Sequence, residues 1–313
     1  MYIRQVYNAS FRSWKYLIIP GLFLGLMVLN FLAVKLLDLD TNAIIKSEIE
    51  RKGKNRFLVE SLLPLAIGLV LLLFWVKYIH KQSLTSLTTS RAHIDWKRVV
   101  FAFFIWGILS SGLILVDYYT TPEDYIWNFN SEKFVILALI AILLVPLQTS
   151  FEEYLFRGYM MQGIGVIAKN KWVPLVITSV IFGVMHIANP EVDKLGYIVM
   201  VYYIGTGFFL GIITLMDEGL ELALGFHAAN NLFTALLVTA DWTAFQTHSI
   251  LKDMSDPTSS TAASIMIPVF VLFPILTFIF AKIYKWRNWK EKLCGVVAPL
   301  PLDNYRIIED DIK

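Results

Sequence analysis

The sequence predicts an all-α protein, a polytopic membrane bundle of about eight transmembrane helices. Three observations carry that expectation. Hydrophobic residues make up 57% of the 313 and charged residues 17%, with mean hydropathy +0.60, whereas soluble domains carry about 25% charged residues. Long apolar runs recur along the chain, each close to the roughly 20 residues that cross a bilayer. Lys and Arg gather in alternate loops, the pattern that orients membrane proteins.

The apolar runs fall at 16–37, 57–79, 97–117, 134–157, 172–188, 197–216, 220–240 and 262–284. Arg4, Arg12 and Lys15 precede the first, as the basic start of a signal peptide would. The run is longer than the about 7–15 apolar residues of such a peptide, and no small-x-small site follows, so a retained helix is expected. The fifth run is the shortest and ends at Asn189-Pro190, where proline disfavours helix in the residue before it. Asp217-Glu218-Gly219 separate the sixth and seventh as a tight hairpin. These acids, with Glu221, read as a solvated turn.

Basic residues at the N-terminus, in the second loop (Lys81, Arg91, Lys97, Arg98) and after the last run (Lys282, Lys285, Arg287, Lys290, Lys292) place both termini in the cytoplasm. The loop 117–133 carries one Lys and four acids, as an outer loop should. The first loop departs from the pattern, with Lys46, Arg51, Lys52, Lys54 and Arg56 beside several acids. Trp75, Trp106, Trp172, Trp286 and Trp289 stand near run ends and suit interfacial anchors. Gly21/Gly25 and Gly207/Gly211 are small-xxx-small pairs, which let helices approach closely. A bacterial inner membrane is the expected location.

Several classes are excluded. There is no basic tract suited to nucleic acid. The one cysteine, Cys294, rules out an internal disulfide and any cysteine-based metal cluster. The chain ends Asp-Ile-Lys, which is not a prenylation box. No repeat or soluble segment stands out, so residues 1–313 are expected to form a single membrane domain, with the chemistry confined to 146–240.

Ionisable residues inside a bilayer are costly, about 2.5–3.5 kcal/mol each on insertion scales, and normally face the bundle interior. Three runs hold them. The fourth ends Glu152-Glu153-Tyr-Leu-Phe-Arg157, the fifth has Phe182-Gly-Val-Met-His186, and the seventh has His227-Ala-Ala-Asn-Asn231. Residues four apart share a helix face. Glu153 and Arg157 are therefore a pair, with Glu in the favourable N-terminal position. Phe182 flanks His186, and His227 and Asn231 point the same way. Glu152 points about 100° away from Glu153, so it is the less neutralised carboxylate. Desolvation raises a carboxyl pKa, as a general base near neutral pH requires. Each feature alone has a plainer reading: a solvated helix end, an interhelical hydrogen-bond donor, or amide glue. The combination on three helices favours chemistry. His80, His93 and His248 fall in loops and read as surface residues.

In that order, Glu-Glu-xxx-Arg, Phe-xxx-His and His-xxx-Asn resemble the CPBP (ABI) intramembrane protease family, which includes the type II CAAX prenyl endopeptidases and bacteriocin-immunity proteins. The resemblance covers about a quarter of the chain. It implies hydrolysis of a peptide bond in a membrane-associated peptide or protein, with the lipid bilayer as surroundings. By the same resemblance Glu152 and His186 would activate water, His227 and Asn231 would hold the oxyanion, and Glu153, Arg157 and Phe182 would support them. No cofactor is favoured; zinc is the alternative, with Glu152, His186 and His227 as an open His₂Glu set. The His-Glu-x-x-His signature of soluble metalloproteases is absent.

Two competing readings follow. A non-catalytic scaffold or immunity protein of the same fold has no need of both histidines, Asn231 and Glu152. A transporter predicts internal repeats and broken helices in both halves, and no repeat is present. For Glu152 and His186 to share a site, either the fourth helix is long and tilted or residues 158–171 dip into the membrane. The glycines Gly158, Gly163 and Gly165 favour the dip.

Overall fold

A computed structural model describes residues 1–8, 11–257 and 262–299. The final Asp-Ile-Lys lies outside the described residues. A 3-10 turn, Ile3–Asn8, precedes helices α1 (Lys15–Leu36), α2 (Thr41–Lys52) and α3 (Lys54–Phe74), the last extended by a π turn to Ile79. Then come α4 (Leu84–Thr88), α5 (Trp96–Thr120), strand β1 (Tyr125–Trp127) and α6 (Ser131–Glu153). A second π turn, Tyr154–Met160, leads into α7 (Met161–Ala168). The chain continues through α8 (Trp172–Val184), α9 (Pro190–Leu195), α10 (Val199–Asp217) and α11 (Glu221–Leu237). It closes with β2 (Val238–Thr239), β3 (Leu251–Asp253), α12 (Ala262–Ile267), α13 (Phe273–Ile283) and α14 (Trp289–Cys294). The strands form one small sheet in the order β1-β3-β2.

The fold is an all-α polytopic bundle, and every apolar run is helical. Six helices among the described residues are long and apolar enough to cross a membrane: 15–36, 54–79, 96–120, 131–168, 199–217 and 265–283. The fifth and seventh runs form the shorter α8, of 13 residues, and α11, of 17 residues. At about 1.5 Å per residue they span roughly 20 and 26 Å, against a hydrocarbon core of about 30 Å. α11 is an interior element, whereas α8 keeps one face exposed, with Val173, Ile177, Val180 and Val184. The short α8 packs on α10, and α11 lies between α5 and α6. Leucines on the outer helices, such as Leu17, Leu22 and Leu26, are exposed as a lipid-facing surface requires.

Two glycines make these contacts close. A Cβ on Gly207 would lie 2.4 Å from the Ser179 carbonyl, so α10 meets α8 backbone to backbone. A Cβ on Gly225 would lie 2.1 Å from the Val99 carbonyl, where α11 crosses α5. The Gly21/Gly25 pair has no neighbour there within 4 Å, and close packing is not its role among the described residues.

Residues 158–171 do not dip as expected. α6, its π turn and α7 form one helix of 38 residues, 131–168. The glycines serve packing instead, Gly163 under the Tyr16 ring and Gly165 under Ile3. The helix stops where Lys169 turns left-handed.

The bundle has two different ends. At the end bearing the N-terminus and α14, the sheetless loops lock together. The Tyr2 hydroxyl donates to the carbonyls of Leu87 and Arg157 at 2.7 and 3.1 Å, and Lys171 Nζ donates to the Glu291 carbonyl at 2.8 Å. Asp217 and Glu221, expected in a solvated turn, are buried here at 6% and 0% exposure. Loop 88–98 folds over them: Leu220 N donates to the Thr88 carbonyl at 2.8 Å, and Arg91 reaches both carboxylates. Partners so distant in sequence are not visible from local pattern.

His80 also departs from expectation. Lys81 takes a left-handed backbone, the chain turns back, and His80 is fully buried with Nε2 2.8 Å from the Tyr159 hydroxyl. His93 is exposed and His248 half-buried. Trp106 is a core residue rather than an anchor. It packs on Phe226 and Phe273 and donates Nε1–H to Asn230 at 3.0 Å.

The opposite end carries the sheet, α2, α9 and the loop between β2 and β3. The basic residues of the first loop that broke the charge pattern lie here. Three of them are paired, Arg51 and Lys52 with Glu48, and Lys52 and Arg56 with Glu60, and Lys54 Nζ donates to the Thr247 carbonyl at 3.3 Å.

Candidate active site

Glu152, His186, His227 and Asn231 line one cavity of about 450 Å³. α6 supplies Glu152, the turn after α8 supplies His186, and α11 supplies His227 and Asn231. Glu152 and Glu153 are the last residues of α6, and the wide π turn begins directly after them. π turns of this kind often occur at functional sites. Here the turn carries Arg157, which is fully buried.

Glu153 lies beneath the cavity. Its Oε1 accepts from Arg157 Nη1 at 2.9 Å and from His227 Nδ1 at 2.8 Å. Arg157 Nη2 also donates to the Gly207 carbonyl at 3.0 Å, and its guanidinium lies 4.2 Å from the Phe182 ring centre. The pair thus joins α6, α8, α10 and α11. Breaking such a buried pair by removing one partner costs about 3–5 kcal/mol.

Both imidazoles have a defined tautomer. A carboxylate accepts Nδ1–H of His227, and the Phe182 carbonyl accepts Nδ1–H of His186 at 2.8 Å. In each neutral ring Nε2 is left with its lone pair. The Phe182 ring stands between them, 5.1 Å from His186 and 5.8 Å from His227. His186 is held from its other side by the stacked Tyr203 ring at 4.4 Å.

Glu152 is only 7% exposed. Its Oε1 accepts from Gln148 Nε2 at 2.6 Å. Its Oε2 has no hydrogen-bond partner and lies 3.6 Å from His227 Nε2. A buried acceptor without a donor is costly, about 1–3 kcal/mol, and this one faces a cavity with room for water. Asn231 Nδ2 points to Gln148 Oε1 at 3.3 Å, and its Oδ1 accepts from Asn230 at 3.1 Å.

The sequence reading left out Gln148, Asn230, Tyr203 and Glu191, all of which line the cavity. Gln148 was within reach, since it lies four residues before Glu152 and so shares its face. Tyr203 and Glu191 come from elements whose approach leaves no local signature. Glu191, at the cavity mouth, accepts from Ala244 N at 2.9 Å, and burial raises its carboxyl above the ordinary range.

The zinc alternative would use Glu152, His186 and His227. Among the described residues no three His, Cys, Asp or Glu side chains gather as a ligand set. Glu153 holds His227 Nδ1, which leaves the Nε2 lone pair free, as it would be in a metal-bound histidine.

Residues 131–233 match the family model described as type II CAAX prenyl endopeptidase Rce1-like. Over this segment the chain is similar to the CAAX protease-like family. All the residues named above except Ala244 lie within that matched segment. A relative, the uncharacterized protein YyaK of Bacillus subtilis (strain 168), is 29% identical over 287 residues, covering 89% of this chain and 93% of its own. No solved structure matches the chain. The CAAX protease-like assignment brings a lipid bilayer and membrane-associated substrates with it at the family level.

Proposed function

We propose that this chain is an intramembrane endopeptidase that hydrolyses a membrane-associated peptide with water activated by Glu152 and His186, without a metal. One observation carries the reading. The unpaired Oε2 of Glu152 is buried against a cavity that it shares with His186, His227 and Asn231. In this mechanism Glu152 takes a proton from water as its oxygen attacks the scissile carbonyl carbon. His186 Nε2 orients that water. The oxyanion is met by Asn231 Nδ2–H and by His227 Nε2–H. The latter role requires the charged ring, and Glu152 and Glu153 flank it with compensating charge. Such donors are worth about 3–4 kcal/mol each. Glu152 then returns its proton to the leaving amine as the C–N bond breaks.

The membrane is a bacterial inner membrane and both termini are cytoplasmic. The end bearing the N-terminus and α14 supports this by its excess of Lys and Arg. The test is Glu152→Gln. Proteolysis is expected to disappear while insertion and thermal stability in detergent are kept, and comparative membrane proteomics against the parent would reveal the accumulating substrates. A fully active variant would refute the assignment. Activity that survives prolonged chelation supports the metal-free form; loss on chelation, restored by zinc, would overturn it.

A further inference from the structure

The two ends of the bundle differ in one respect that bears on the substrate. The cavity is walled near Glu152 by Gln148 and Asn231. It then extends past Tyr202, Thr206 and Thr234 to a mouth lined by Asn189, Glu191 and residues 238–240 and 242–245. All of that mouth belongs to the sheet end. On the other side of Glu152 the structure is closed. Glu153, Arg157, Leu155 and Phe156 are each 0% exposed, and Leu220 and Tyr2 seal the layer beneath at 0% and 1%. The Tyr2 hydroxyl ties the N-terminal turn to the Arg157 carbonyl from below. Water therefore reaches the unpaired carboxylate oxygen from the end opposite the N-terminus.

The charges say which end that is. Arg4, Arg12, Lys15, Lys81, Lys97, Lys285, Arg287 and Lys290 crowd the closed end, beside Arg91, Arg98, Lys171 and Lys292. The sheet end has fewer, the first-loop group Lys46, Arg51, Lys52, Lys54 and Arg56 with Lys35, Lys133, Lys194 and Lys252. Basic loops stay in the cytoplasm.

We infer that the catalytic cavity opens to the extracytoplasmic side, and that its substrate is a membrane-anchored peptide whose scissile bond lies at the outer leaflet, an exported chain rather than a lipid-modified cytoplasmic C-terminus. The substrate part rests on the proteolytic reading; the side of opening does not.

The chain supplies its own probe. Cys294 is its one cysteine and is exposed at the closed end. Asp241 lies beside the mouth with an exposed side chain, and Thr234 is on the cavity wall. In intact bacteria, a membrane-impermeant maleimide is expected to leave Cys294 unlabelled until the membrane is opened. In a Cys294→Ser background it is expected to label Asp241→Cys at once, and a small charged methanethiosulfonate is expected to modify Thr234→Cys from outside. Labelling of Cys294 in intact cells, with Asp241→Cys protected, would overturn the inference. So would modification of Thr234→Cys only in inverted vesicles. Neither result depends on catalysis. Failure of the proteolytic reading would appear instead as an active Glu152→Gln enzyme with this labelling pattern intact.

Discussion

Two buried charge clusters lie less than two turns apart along α11, one around Glu221 and the other around His227. They resemble each other in composition, since each holds two carboxylates facing arginine at a junction with α10. They differ in how completely they are paired. In the lower cluster Asp217 accepts from Arg91 Nη2 at 2.5 Å, from Arg98 Nη1 and from Trp286 Nε1 at 3.1 Å. Glu221 accepts from Asp95 N at 3.3 Å and Arg91 Nη1 at 3.4 Å. Each of these four oxygens has a donor, and Arg98 adds a cation–π contact with Tyr284 at 3.9 Å. In the upper cluster Glu153 is committed to Arg157 and His227, while Glu152 Oε2 has no donor. Glu153 Oε2 also lacks one, but it is sealed below the cavity. Buried charge alone thus marks structure as readily as chemistry. An unpaired oxygen over a cavity is what separates them.

The largest test of this contrast lies at Arg157. Arg157→Met should destabilise the protein by about 3–5 kcal/mol, because it leaves the Glu153 carboxylate buried without its cation. It should also abolish cleavage by freeing His227 from its fixed orientation. Adding Glu153→Gln should restore much of the lost stability, since no uncompensated charge then remains, but not activity. Apparent melting temperature in detergent and cleavage rate per folded molecule separate the two effects. If Arg157→Met melted like the parent, the upper cluster would not be the joint between four helices that it is taken for.

Asp217→Asn should do less, and only to stability. Its arginines are partly exposed, with side chains at 25% and 19%, so water can replace much of what the carboxylate supplied. A loss of about 1–3 kcal/mol is expected, with turnover per folded molecule unchanged. A variant that folds as well as the parent but cleaves more slowly would break the comparison, because the lower cluster would then be part of the chemistry.

The same contrast shows what sequence makes legible. Helix periodicity and run length were sufficient for the all-α bundle, because a bilayer leaves few alternatives. Residues four apart gave the Glu153–Arg157 pair and the shared direction of His227 and Asn231, since one helix turn is local information. The Asp217 and Glu221 sites were misread because their partners lie in loop 88–98, some 120 residues away in the chain. His80 was misread because one left-handed residue, Lys81, turned an ordinary loop position inward. The continuity of residues 131–168 was missed because glycines that break a helix in water can instead admit a neighbour, as Gly163 admits Tyr16.

Gln148 offers the finest discrimination. Its amide nitrogen donates to Glu152 Oε1 and its oxygen faces Asn231 Nδ2, so it couples the proposed base to the proposed oxyanion donor without being a charged group itself. Gln148→Ala removes one hydrogen bond from each, and hydrogen bonds to charged groups contribute about 1.5–3 kcal/mol. If Gln148 only positions Glu152, kcat should fall by roughly 10–100-fold, a factor of ten for each 1.4 kcal/mol, with KM little changed. Gln148→Glu should be worse than alanine, because a second carboxylate beside Glu152 favours its protonated form and disables a base. That penalty should ease as pH rises, once Glu152 is again ionised. An alanine variant that raised KM and left kcat alone would move Gln148 from the support of Glu152 to the binding of substrate along the cavity wall.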